Sequence, residues 1–425
     1  MTLLSAAMLM TVLKSAIAIV VVFLVCIVLH EFGHFIVAKR CGVAVPQFAV
    51  GFGTKLFKWN WGDTEFSIRL WPLGGLVQLA GEVPQDALFR KGEEIAFRLD
   101  EKGRIAQLGS PRDMRGGQVG VLRALDLVDR LQMTIEADGA VRTYQVRPYA
   151  QLQTSPRNAI PLVEKHEQVL GKPLWQRAAI ILAGPVMNFV LAGVLFAAYY
   201  THTGLPVNQP TLGAVVAGSP AWSAGLREGD TVISIDGKRV NTWVDMVEEI
   251  RSDKGNPPQP IRMDIERKGA EYTVVVHPRL SSAGIPQIGV NNPVTHNPVQ
   301  TVASGFSAVY FGSVNMLAAL GDVFVHHQFQ DLAGPVGIAD VISQQAQTGF
   351  WQVVMIAGLL SLNLGLFNLL PIPALDGGRL LFMLVEAVRG RAIDPNKEGL
   401  VHLVGFALLM LFAVVITYRD VTRLF

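Results

Sequence analysis

Residues 15–38 form an apolar run broken only by His30, Glu31 and His34, which cluster toward its C-terminal end. A run of this length exceeds a signal-peptide core, and Lys39 and Arg40 follow it where a small-residue cleavage site would have to stand. It reads as a retained membrane-spanning helix. Three further stretches, 178–200, 351–370 and 399–418, are long and apolar enough to cross a hydrocarbon layer of ~30 Å. The expected fold class is therefore a polytopic α-helical membrane protein with about four transmembrane helices. Composition agrees, with about half of the 425 residues hydrophobic and only 16% charged. A net charge of +2 offers no basic field for nucleic acid. Cys26 and Cys41 lie in and just beyond the first run and imply no disulfide framework.

Between the spans the patterning changes. In residues 41–81, Phe57, Trp59 and Trp61 alternate with other residues, Gly62-Asp63 offers a turn, and Phe66, Ile68 and Leu70 alternate again, which predicts a β-hairpin. Pro72-Leu73-Gly74-Gly75 follows, backbone-permissive in an apolar setting, so this region is expected to dip into the membrane. Trp59 and Trp61 suit an interfacial anchor. Residues 82–177 carry many charges and short strand-like runs such as 143–146, and predict a cytosolic insert domain. Residues 205–290 are a second soluble region. It contains a strand at 231–235, a turn at Asp236-Gly237, a helix at 243–250 with Trp243, Val247 and Ile250 on one side, and strands at 261–267 and 272–276. Residues 299–349 open with an uncharged apolar stretch in which Phe306, Tyr310, Met316 and Leu317 have loosely helical spacing. This segment is expected to lie along the membrane surface, with a fifth span as the alternative.

Basic residues favour the cytoplasmic ends of spans. Lys39, Arg40, Lys172, Arg177, Arg379, Arg389 and Arg391 flank one set of ends, and no Lys or Arg occurs between Arg279 and Arg379. The 205–290 domain is thus expected outside the cytoplasm, together with both termini, although Lys14, Arg419 and Arg423 pull weakly the other way.

Ionisable groups inside a span are costly unless they line a polar cavity or bind something. On a helix, positions i and i+4 share a face, so His30 and His34 can aim two imidazoles at one metal while Glu31 stands beside it as a general base. At ~1.5 Å per residue, His30 lies about 12 Å inside the Ala38 end, nearer the cytosolic face. A catalytic zinc takes three protein ligands and leaves a position for water. Asp376 is the candidate third ligand. Pro371 and Pro373 end the third span just before it and place its carboxylate at a similar depth.

Taken together, His30-Glu31-Phe32-Gly33-His34 and the stretch from Asn368 through Pro371 and Pro373 to Leu375-Asp376-Gly377-Gly378 resemble the site-2 protease family of intramembrane metalloproteases. The resemblance extends to Val50-Gly51-Phe52-Gly53, to Pro72-Leu73-Gly74-Gly75, to Gly184-Pro185-Val186-Met187-Asn188, and to Leu332-Ala333-Gly334-Pro335-Val336-Gly337-Ile338. It covers nearly the whole chain and is strongest for the bacterial RseP/RasP branch in its one-PDZ form, since the 218–230 run with its Ser-Pro-Ala, Ala-Gly-Leu and Gly-Asp elements looks like part of a PDZ domain. The resemblance implies Zn2+ held by His30, His34 and Asp376, Glu31 as general base, and Asn368 and Asn188 as polar groups near substrate or intermediate. Both asparagines could equally bond between helices. It also implies a multi-pass protein of the bacterial inner or plasma membrane. Its substrates would be single-span membrane proteins, such as anti-sigma factors and signal-peptide remnants, first cut by an upstream site-1 protease. The hairpin at 57–70 could take up an unwound substrate by β-augmentation. The alternative is a non-enzymatic membrane scaffold presenting a PDZ domain.

Overall fold

The computed structural model describes residues 6–82, 89–114, 116–127, 129–155, 158–252, 257–281, 284–326, 334–391 and 393–424. The chain divides into two compact units, one of Met1–Leu195 with Val309–Phe425 and one of Phe196–Ala308.

The first unit begins with helix α1 (Ala6–Arg40), apolar on all sides and without proline. A lipid-facing segment must satisfy its backbone internally, and a continuous helix does so. The chain leaves α1 through Gly42 at φ +68°, and Lys39 and Arg40 complement the negative end of the helix.

Strands β1 (Gln47–Trp61) and β2 (Thr64–Gln78) form the expected hairpin around Gly62-Asp63, but each is folded over on itself. Residues 47–50 pair with 75–78 on one side and with 65–68 on the other, and 65–68 pair in turn with part of 55–61. The result is an antiparallel sheet of four segments in the order 75–78, 47–50, 65–68, 55–61. Gly51 and Gly53, at φ +85° and +89°, and Gly74, at φ +116°, supply the bends. The sheet is anchored to α1 by Phe35, whose ring meets Phe48 and Phe66 edge-on at 5.7 and 5.5 Å. Such aromatic pairs contribute about 0.5–1.5 kcal/mol each beyond area burial. Phe52, Phe57, Trp59, Trp61 and Trp71 remain at least half exposed, an unusual load of surface aromatics.

The insert is a small closed barrel. Strands β3 (Glu94–Leu99), β4 (Ile105–Gly109), β5 (Gln118–Asp126), β6 (Gln132–Ala137), β7 (Ala140–Ser155) and β8 (Asn158–Leu162) run in the order β4-β3-β5-β6-β7-β8. A parallel β4–β7 pairing closes β3 to β7 into a ring, and β8 pairs with β7 alone. Ile95, Phe97, Ile105, Leu122, Met133 and Ile135 fill the interior. Helix α2 (Leu174–Thr203) then leaves this unit and carries Pro185 within it.

In the second unit, β9 (Leu205–Pro206) precedes α3 (Pro220–Ser223), and β10 (Thr231–Ile235), β11 (Lys238–Arg239), β12 (Ile261–Arg267) and β13 (Ala270–Val276) form a sheet in the order β11-β10-β12-β13. Helix α4 (Trp243–Ser252) buries Met246 and Ile250, so its inward face is centred on Met246 rather than on the expected line through Val247. Asp230, almost fully buried, is neutralised by Arg267 through two hydrogen bonds of 2.6 and 2.7 Å.

The chain continues through α5 (Pro298–His326), α6 (Pro335–Thr348), α7 (Phe350–Leu369), α8 (Asp376–Arg389) and α9 (Pro395–Leu424). The interfacial segment expected at 299–349 is thus two helices; Leu332 and Ala333 of the quoted motif lie outside the described residues. Among the described residues five helices are long and apolar enough to cross a membrane, where the sequence predicted four, because α5 meets the length and composition of a span. Helices α1, α2, α6 and α7 share a core of Val22, Cys26, Leu191, Ile342 and Ala357. Ser343 of α6 donates to Ser15 near the start of α1 at 2.8 Å. Asp420, near the end of α9, accepts the Gly334 and Gly337 N–H groups at the start of α6, both at 2.9 Å. Helix α6 therefore packs at the end of α1 remote from His30.

Candidate metal centre

His30 and His34 lie one turn apart on α1, and their Nε2 atoms approach to 3.2 Å. Asp376 Oδ2 lies 3.3 Å from the first and 3.4 Å from the second. Among the described residues these three form the one cluster with metal-ligand geometry. Asp376 Oδ2 is buried and makes no acceptable hydrogen bond despite that proximity. Three lone-pair atoms converging without a proton to share is unfavourable unless a cation sits among them. Zinc bonds of about 2.0–2.1 Å place the donors of a tetrahedral site about 3.3 Å apart, which these distances match. The residues fit zinc.

Helix α2 builds the back wall. A Cβ on Gly184 would lie 2.2 Å from His34 Nε2 and 2.7 Å from His30 Cε1, so only glycine leaves room for both rings. Gly33, between the two histidines, lets α1 approach α2 equally closely, since a Cβ there would meet the Ala183 carbonyl at 2.3 Å. Pro185 removes one helix hydrogen bond in the adjoining turn. In that turn the Ile180 carbonyl accepts from His34 Nδ1 at 2.8 Å, which fixes the tautomer with an Nε2 lone pair facing Asp376.

Asn188 does the same for His30. It is fully buried, with its amide Nδ2 placed 3.1 Å from His30 Nδ1 and its Oδ1 left without a partner. An Nε2 lone pair on His30 requires Nδ1 to carry the proton, and exchanging the amide's two ends puts Oδ1 there as acceptor and resolves both conflicts. Asn188 thus contacts the outer nitrogen of a ligand across the α1–α2 interface, the interhelical role that the sequence left open for it. Its backbone carbonyl is held by Ser361 Oγ at 2.9 Å. Asn368 stands on the last turn of α7, half-buried, with no hydrogen bond to its amide among the described residues.

Asp376 is the first residue of α8. Gly377 and Gly378 press against the carbonyls of Leu370 and Ile372, where a Cβ would sit at 2.1 and 2.5 Å. Two ion pairs pin α8 in place: Arg379 with Glu82, and Glu386 with Arg177 at 2.9 Å.

Glu31 is not among the three donors. A Cβ on Gly75 would fall 2.5 Å from Glu31 Cγ and 3.3 Å from its Oε1. The strand segment 75–78 therefore runs directly past the acid, and its outer edge pairs with no described strand. The free edge at the centre is this segment, whereas the 57–70 hairpin named as a substrate platform contributes the sheet's opposite edge at 55–61. Sequence reasoning identified neither Gly184 nor Gly75 as site residues; each was visible only as part of a glycine-containing motif.

The match to known proteins is extensive. Residues 18–412 fit the model of peptidase family M50. A zinc metalloprotease RasP of Geobacillus kaustophilus is 38% identical over 97% of this chain and 99% of its own length. The regulator of sigma-W protease RasP of Bacillus subtilis is 33% identical over 97% of this chain and 99% of its own, and a probable protease eep of Enterococcus faecalis is 30% identical over 97% and 100%. A solved PDZ domain of an SdrC-like protein from Listeria monocytogenes covers 21% of this chain and 90% of its own at 18% identity, with a TM-score of 0.18, too low to assign a fold. With this family in place the non-enzymatic scaffold is set aside, and the chain belongs to peptidase family M50, the site-2 proteases, as a multi-pass membrane zinc metalloprotease.

Proposed function

We propose that this enzyme hydrolyses peptide bonds within the transmembrane segments of single-span membrane proteins. The observation that carries the reading is the metal-ligand triangle built on apolar helices, with Glu31 and the free edge 75–78 beside it. His30, His34 and Asp376 hold the zinc, which when bound supplies positive charge that acidifies water and polarises a carbonyl. Glu31 takes the proton as the water oxygen attacks the scissile carbonyl carbon, and returns it to the amine nitrogen as the C–N bond breaks. The Ile180 carbonyl and Asn188 keep the two imidazoles in the ligating tautomer. Asn368, with its amide uncommitted, donates to the developing oxyanion.

A substrate helix hides its peptide bonds in its own hydrogen bonds and must unwind first. Segment 75–78 takes up the unwound stretch as an added strand, which supplies main-chain bonds without demanding one sequence. The exposed aromatics of the sheet embed it in the bilayer. Basic residues at one set of helix ends support a centre near the cytosolic face and a 205–290 domain, read as PDZ, outside it. There it acts as a size filter that admits substrates already trimmed by an upstream protease. The name of the Bacillus subtilis relative supports membrane-bound anti-sigma factors as one substrate class.

A photo-crosslinking amino acid at Leu76 of the E31Q variant should capture a reconstituted single-span peptide, while the same probe at Phe57, on the opposite edge, should not. Capture at Phe57 alone would return the substrate to the 57–61 edge.

A further inference from the structure

The turn that delivers Asp376 contains a backbone irregularity. Ala374, two residues before it, has φ +77°, a region that residues with a Cβ rarely adopt and that persists only where the surroundings impose it. The adjoining glycines cannot absorb the bend, because Gly377 and Gly378 are already committed to close carbonyl contacts.

What imposes it comes from α9. The Ala374 N–H donates to His402 Nδ1 at 2.8 Å, across 28 residues of sequence. One turn along α9, Gly405 lies against the same loop, where a Cβ would meet Pro373 Cβ at 2.3 Å. The imidazole is braced on its other side by Phe382 of α8, ring centroids 5.5 Å apart. For Nδ1 to accept, the ring must be neutral with its proton on Nε2. That nitrogen is buried without a hydrogen-bond partner, and Glu398, one turn back on α9, has its carboxylate 3.9 Å away.

We propose that His402 is a positioning residue for the Asp376 carboxylate: by accepting the Ala374 N–H it holds the strained turn in the one conformation that presents Asp376 to His30 and His34. The inference rests on Asp376 being a metal ligand, and it assigns α9 a role in the metal centre although α9 contributes no ligand. An ordinary packing histidine would tolerate loss of its Nδ1 acceptor. A positioning histidine does not, and the loss shows at the metal.

The test uses the full-length purified protein with cobalt(II) in place of zinc, reading affinity by chelator competition and the ligand field by the visible spectrum. H402L and H402Q should bind metal about tenfold more weakly, the scale typical of residues that orient ligands, and should alter the cobalt spectrum. H402N, whose Oδ1 reaches much the same place as Nδ1, should stay within about twofold of the parent and keep its spectrum. Adding A374G to H402L should recover part of the loss, because glycine adopts positive φ without strain. H402Q serves as the second variant should H402L not accumulate as folded protein. Parent-like affinity and spectrum in both H402L and H402Q overturn the proposal, as does H402N behaving like H402L. D376N separates the two levels: if it binds cobalt as the parent does, the ligand reading fails and takes this proposal with it. If D376N loses cobalt while the His402 variants do not, only the role of His402 falls.

Discussion

E31Q should keep its full complement of zinc and lose turnover by about a thousandfold, within the range that removal of a general base produces. Glutamine preserves the shape that packs against Gly75, so the 75–78 edge stays in register. The three converging donors are His30, His34 and Asp376, so the metal loses none of its protein ligands. What disappears is a group able to take a proton from water and return it to the leaving nitrogen. Metal analysis on the purified variant, beside cleavage of a reconstituted substrate, checks both halves. Loss of zinc would mean that Glu31 is a ligand, and parent-like turnover would remove it from the mechanism.

G184A should be nearly as damaging, by a different route: metal content should fall about tenfold or more, and activity with it. One methyl group is enough because it would occupy the space of His34 Nε2, the atom that must point at the metal. Ordinarily a helix can shift to accommodate a methyl group. Here α2 is confined on two sides, by Gly33 of α1 against the Ala183 carbonyl and by Gly365 of α7, where a Cβ would lie 3.1 Å from the Pro185 carbonyl. The rings must therefore rotate, which breaks the His34 bond to Ile180 and the His30 contact with Asn188 together. Outer-shell losses of this kind typically weaken metal binding 10- to 100-fold. Metal analysis of G184A beside A183G, a change that adds no bulk, reads the effect.

The parts of the site that could be read from sequence are those set by local geometry. His30, Glu31 and His34 follow from helical spacing inside an apolar run, and Asp376 from a proline-terminated span that ends at the same depth. The strands at 231–235 and 261–267 were likewise legible, because alternation and turn residues bound them. Asn188 was visible as a buried polar residue, but its actual partner depends on how α1 crosses α2, a distance no spacing encodes. The same holds for Gly184, His402 and the β1–β2 sheet, in which glycines fold two strands into four segments and so give it a second outer edge, 75–78, beside Glu31. The barrel at 94–162 escaped for another reason: its closure rests on the parallel β4–β7 pairing, and non-local pairings leave little trace in single strands. Residues 299–349 mixed apolar character with no Lys or Arg to fix a depth, and α5 proved as long as a span.

The central claim is that the cut falls inside the bilayer at the His30, His34 and Asp376 centre. The most direct test is the mass of both products after the zinc-loaded enzyme, reconstituted in vesicles, cleaves a single-span substrate whose outer domain has been removed. A bond broken within the apolar span, toward its cytosolic end, and absent with E31Q, is the predicted result. Products cut only in the flanking soluble segments, or the same products from E31Q at an undiminished rate, would contradict it.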